Sequence, residues 1–105
     1  MNEDYKFNIV KLAADGLNWV TYQDHMKYAL NTRGWSDHLT DNMVSQAYKN
    51  TGDVGGMKPE AWWKADEALM QQLIVASVSD SVFNNIKGGA NVKSIWDKLK
   101  KIFQG

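Results

Sequence analysis

Between Pro59 and Val78 the chain reads PEAWWKADEALMQQLIVASV, and its hydrophobic positions recur at the spacing of one long helix. At 100° per residue Trp62, Ala65, Leu69, Leu73 and Ala76 share one stripe, which Trp63, Met70 and Ile74 widen on one side. Lys64, Glu67 and Gln71 are left as the polar back. Pro59 suits the first turn, where its missing N–H leaves nothing unpaired, and Glu60 favours the positive end of the helix dipole. A face this wide requires cover, so the remaining elements are expected to pack around this helix. Asp66 interrupts the arc between Trp62 and Leu73. A carboxylate there needs a donor, and an indole or backbone N–H is the expected one.

The flanking segments carry narrower patterns. Tyr5, Phe7, Ile9 and Leu12 stand at roughly every second position, which predicts an extended arm over residues 1–12 laid on an apolar surface. No second strand-like run exists to pair with it, so a sheet is not expected. Asp15-Gly16 marks a turn and Asn18 is an N-cap. Trp19, Tyr22, Met26, Ala29 and Leu30 then line one stripe of a helix that runs to Thr32 and ends at Gly34. Tyr28 lies on its opposite, polar face. Trp35, Leu39, Met43 and Ala47 recur every four residues, with Ser36 as a cap, and predict a short or broken helix. Residues 50–57, NTGDVGGM, read as a flexible surface loop.

Beyond the central helix, Ser79 caps a brief helix holding Val82, Phe83 and Ile86, closed by Lys87 and Gly88-Gly89. Asn91 caps the last one, whose narrow stripe is Val92, Ile95, Trp96, Leu99, Ile102 and Phe103. The sum is one all-α domain over residues 1–105, a compact bundle of about five helices preceded by an extended N-terminal arm. Its predicted core holds Trp19, Met26, Leu30, Trp35, Trp62, Trp63, Asp66, Leu69, Leu73, Ile95, Trp96 and Leu99. Tyr5, Phe7, Ile9 and Tyr28 are the candidates for an arm, a groove or an interface.

Composition narrows the function mainly by exclusion. Five tryptophans and 44% hydrophobic residues in a chain of 105 suffice for a core. Twelve basic residues balance twelve acidic ones, so no global field draws nucleic acid or an anionic membrane. The absence of cysteine removes a thiol nucleophile, a disulfide framework and a zinc knuckle. Neither a signal peptide nor a membrane span is legible, which makes a cytoplasmic protein the expectation.

Candidate chemistry is thin. TGDVGGMKP is superficially like a phosphate-binding loop, but Met57 and Pro59 stand where its last glycine and magnesium-binding hydroxyl belong. Ser36-Asp37-His38 contains the residue types of a nucleophilic triad, yet consecutive side chains on a helical turn diverge, and a helix start is expected instead. His25 and His38 are the only histidines, without the spacing of a metal site. Lys87, Lys93, Lys98, Lys100 and Lys101, set against Asp97, read as a solvated face with no aromatic residue on which bases could stack. No catalytic group, metal or cofactor is expected, and nucleic acid is not an expected partner of this segment.

Three blocks, taken in order, resemble the capsid N-terminal region of the Gag polypeptide of Ty1/copia-type LTR retrotransposons. The first is KLAADGLNWVTYQDHMKYAL followed by Gly34-Trp35; the second is Trp63, Asp66, Ala68 and Ile74; the third is NVKSIWDKLKKIF, around an Ile-Trp-Asp-x-Leu core. The likeness spans Phe7 to Phe103, with Tyr22 where the family usually has tryptophan. It implies a retroelement capsid-lobe fold and a structural role in virus-like particles, with other capsid subunits as partners and catalysis left to other parts of the polyprotein. The family usually carries a second lobe after this segment, so the resemblance implies one lobe of a longer capsid protein or of a host gene derived from one. A domesticated adaptor that binds a peptide or partner helix in an apolar groove, covered by Tyr5, Phe7 and Ile9 when empty, is the alternative.

Overall fold

The computed structural model describes residues 10–104, in which six helices form: α1 (Trp19–Thr32), α2 (Asp37–Thr40), α3 (Gln46–Thr51), α4 (Pro59–Ala76), α5 (Asp80–Ile86) and α6 (Val92–Gln104). No strand is present among the described residues; Val54 and Met57 alone form an isolated bridge. The architecture is all-α, with the bundle that the periodicities predict. The expected arm residues Tyr5, Phe7 and Ile9 lie outside the described residues. Leu12, the last residue of that arm, is buried, and its N–H donates to the Ser77 carbonyl at 2.8 Å.

The helix count exceeds the expected five because the segment after Gly34 breaks in two. Asp41 and Ser45 are extended, and the second helical turn restarts in a new phase. Trp35 and Leu39 pack partly against the core, as their four-residue spacing requires, whereas Met43 is 72% exposed and Ala47 is exposed. His38 and Tyr48 point inward instead. Residues 50–57, expected as a surface loop, contain a tight turn. Thr51 still belongs to α3, and Val54 and Met57 exchange two 2.9 Å backbone hydrogen bonds across Gly55-Gly56. Both glycines have positive φ, 56° and 83°, which a two-residue turn of this type demands.

Local signals place most helix ends. α1 stops before Gly34, and the Trp35 N–H reaches back to the Leu30 carbonyl at 2.8 Å. Asn18 precedes α1 as expected but caps nothing with its side chain. Its Oδ1 accepts the Ala13 N–H and its Nδ2 donates to the Lys11 carbonyl, both at 2.8 Å, which clamps the incoming chain to the helix start. Gly16 completes that turn at φ 75°, and a Cβ there would run into the Phe103 ring. At α6 the Asn91 Oδ1 accepts the Ser94 N–H while Ser94 Oγ accepts the Asn91 N–H, a reciprocal cap.

The largest correction concerns α4. Its buried residues are Trp63, Glu67, Met70 and Ile74, followed by Ser77, so the inward face is rotated from the expected stripe. Trp62 and Leu73 are half-buried, Ala65 and Ala76 are exposed, and Leu69, expected in the core, is 54% exposed. Glu67, expected on the polar back, is inside at 8% exposure. The reason is that apolar residues encircle most of α4, so hydrophobicity leaves its rotation open and polar partners set it. Of the other expected core residues, Trp19, Met26, Leu30, Ile95, Trp96 and Leu99 are buried, while Trp35 and Asp66 are half-buried.

The core gathers Trp19, Tyr22, Met26 and Leu30 of α1, Met70 and Ile74 of α4, and Val92, Ile95, Trp96 and Leu99 of α6, with Val82 and Ile86 from α5. α6 packs against α2, α4 and α5, while α3 packs on α4. No helix among the described residues is long and apolar enough to cross a membrane.

Candidate functional site

A chain of polar contacts runs through the end of the molecule where α2, α3 and the first half of α4 meet. Ser36, Asp37 and His38 diverge at the start of α2, as their adjacency requires: Ser36 Oγ donates to Asn31 Oδ1 at 3.1 Å, while the His38 ring turns inward to 0% exposure. There it lies flat on Trp63, with centroids 3.6 Å apart and planes 18° apart. His38 Nδ1 is 2.8 Å from Glu67 Oε2, and Nε2 is 2.7 Å from Tyr48 Oη. The Tyr48 hydroxyl in turn lies 2.6 Å from Asp66 Oδ2, to which it donates. Asp66 thus finds a donor, but a phenol rather than the expected indole or backbone N–H.

Both ends of this chain are anchored. Glu67 Oε1 accepts the Val92 N–H at 2.9 Å, at the first turn of α6, so one carboxylate ties α2 and α4 to an otherwise unpaired amide. The Tyr48 ring stacks on Trp62 at 4.0 Å, and the Trp62 indole donates to the Gly52 carbonyl at 3.1 Å. Burial, followed by the Asp66 carboxylate it bonds and the charges of Asp37 and Glu67, pushes the Tyr48 phenol well above its ordinary range. The phenol therefore stays neutral and keeps its proton.

Above Trp63 and Glu67 opens a cleft of about 590 Å³, with Met43 and Val44 on one side, Ala68 on another and Asn91 at its rim. A smaller one of about 260 Å³ is lined by Trp35, Tyr48, Trp62 and Asp66, with Arg33 alongside. Arg33 also sits over the Trp35 ring, 5.8 Å from its centroid. Among the described residues no group of three or more His, Asp or Glu stands together as metal ligands. Each ring nitrogen of His38 is engaged within the chain, and no serine hydroxyl shares it.

Of the residues singled out from sequence, Trp62, Trp63 and Asp66 take part here, and Leu69 faces away from it. Tyr28, on the polar face of α1 as its position requires, is 73% exposed and lines neither of these clefts. Tyr5, Phe7 and Ile9 lie outside the described residues. Sequence reasoning missed the roles of His38, Tyr48 and Glu67. One signal pointed to Glu67: with Trp63, Met70 and Ile74 it forms an i, i+4, i+7, i+11 series, the alternative phase of the helix. Comparison with protein-family models, curated proteins and solved structures gives no match.

Proposed function

We propose that this chain is a structural lobe of a capsid-type protein, a copia-like Gag domain or a host protein derived from one, which acts through contacts with other capsid subunits. The observation that carries this reading is the second apolar face of α4. Trp63, Met70 and Ile74 serve the chain's own core, while Ala61, Ala65, Ala68 and Leu69 remain exposed on the same helix. A solvent-facing helix side would ordinarily be polar, and apolar residues kept outside suit a contact with another molecule. Consistent with a structural role, the acid–base side chains at the best-formed site are spent on one another. The blocks that carry the resemblance also pack together: Tyr22 of the first lies on Trp96 of the third at 6.3 Å.

Light scattering across a concentration series tests this. A monomer is expected at micromolar concentration, with association rising toward millimolar and lost in Leu69→Glu, whose melting curve should match wild type because the site is exposed. Strictly monomeric behaviour throughout, or association indifferent to Leu69→Glu, sinks the reading. The cleft over Trp63 favours a second one, an adaptor that takes an apolar segment of a partner. Met43→Asp, at the cleft's exposed wall away from α4, would then weaken binding of an apolar peptide, read by the change in tryptophan fluorescence, while leaving self-association intact.

A further inference from the structure

We infer that Glu67, His38, Tyr48 and Asp66 are bridged by three protons, one more than these side chains carry apart at neutral pH, and that the fold thereby contains a proton-dependent clasp. Each of the three contacts, Glu67–His38, His38–Tyr48 and Tyr48–Asp66, joins two electronegative atoms at 2.8, 2.7 and 2.6 Å. Each needs one hydrogen between them. In their ordinary forms the two carboxylates bring none, a neutral imidazole brings one and a phenol brings one, which makes two for three contacts.

Reorienting the groups does not remove the deficit. With Tyr48 donating to Asp66, the phenol oxygen must accept from His38 Nε2–H, and the Nδ1–Oε2 contact then needs a proton of its own. With Tyr48 donating to His38 instead, Asp66 must be protonated to reach the phenol. Every complete allotment holds three protons, and in every one the chain of four carries a net charge of −1; with the imidazolium, for instance, Glu −1, His +1 and Asp −1. The protons belong to the coupled chain and not to one member of it. Two protons would leave one contact as facing lone pairs, beside an imidazole at 0% exposure that water does not reach.

The charges around the chain favour retaining the third proton. α2 contributes Asp37 beside His38, α4 contributes Asp66 and Glu67, and α3 contributes the Tyr48 phenol, which burial first and then the neighbouring carboxylates hold neutral. Acting the other way are the Val92 N–H, which faces Glu67 from α6, and Arg33, which shares the smaller cleft with Tyr48 and Asp66, one cation against three carboxylates. Loss of the proton releases the joint between α4 and the α2–α3 segment. That segment, through Asn42, Met43 and Val44, is the wall of the large cleft opposite Trp63 and Glu67, so proton loss loosens the cleft.

The sign follows from linkage. Above the ordinary histidine range, near pH ~6.5, the folded chain binds one proton more than the unfolded one, so stability falls as pH rises. Urea unfolding between pH 6 and 9, with His25 replaced by Gln in every variant, measures this. The folding constant should fall by up to about tenfold per pH unit above that range. Asp66→Asn should remove the dependence without removing a contact, because its amide donates to Tyr48, Tyr48 then donates to His38, and His38 to Glu67. Tyr48→Phe should be less stable but equally indifferent to pH, having lost both contacts that demand the extra proton. Refolding the same His25→Gln protein at pH 8 in dilute buffer gives a readout independent of the other variants, an uptake of about one proton. A profile for Asp66→Asn or Tyr48→Phe parallel to that of the protein altered only at His25, or refolding with no proton uptake, overturns the clasp.

Discussion

The two ends of α4 meet two aromatic groups built on opposite terms. At its C-terminal half Trp19, Tyr22, Trp96 and Phe103 gather with centroids 5.6 to 6.3 Å apart, and the buried hydrogen bond between Tyr22 and Ser77, at 2.8 Å, serves the cluster. The indole N–H of Trp19 is buried there without a partner among the described residues. At the N-terminal half, rings approach to 3.6 and 4.0 Å, and the nitrogens of His38 and the Tyr48 hydroxyl are bonded in series. The first group is held by apolar area and tolerates an unpaired donor. The second depends on every contact being made, since removing one partner strands the next in a buried setting.

The largest effect should come from the dry end. Trp96→Ala should cost about 3–5 kcal/mol, a large share of the stability of a small domain, because Trp96 touches both Trp19 and Tyr22. Cooperative melting near the wild-type temperature would show α6 to be peripheral. At the polar end His38→Ala should cost about 2–3 kcal/mol, mostly by leaving Glu67 and Tyr48 without their shared partner. Chemical denaturation of the double variant sharpens the contrast. The two clusters share no hydrogen bond or ring pair, so the losses should add to within about 0.5 kcal/mol, and strong coupling would mean that α4 transmits strain between its ends.

A smaller loss, about 1 kcal/mol, is expected for Tyr22→Phe, since Ser77 Oγ keeps its bond to the Ile74 carbonyl. This variant also has a pH signature. Burial outweighs the Ser77 hydrogen bond and raises the Tyr22 phenol from 10.0 to about 12. An acid raised on folding stabilises in its neutral form, so its contribution is present below pH ~10 and is lost as pH climbs toward ~12. Circular dichroism over that range should show the phenylalanine variant losing less stability than wild type. Least of all should follow from Asp97→Asn on the outer side of α6. There a 2.9 Å bond from Lys93 chiefly lowers the carboxylate below its ordinary range, but both partners are solvated. About 0.3–0.5 kcal/mol is expected, vanishing in high salt.

What the sequence by itself determined is α1, α4, α5 and α6 and most of their ends. Narrow stripes such as Trp19, Tyr22, Met26 and Leu30, or Val92, Ile95, Trp96 and Leu99, leave one rotation that buries them, and both became core. Pro59, Gly34 and Asn91 mark ends through backbone chemistry that acts within a turn. The tertiary structure decided which way α4 faces and why His38, Tyr48 and Glu67 are inside. α4 is apolar over most of its circumference, so transfer of hydrophobic area hardly distinguishes Leu69 inward from Met70 inward. The choice falls to Glu67, whose two oxygens meet His38 and the Val92 amide in the observed rotation. Periodicity reports what one helix buries, whereas a buried polar group is admitted by partners from other helices, and those partners come together only once the chain has folded.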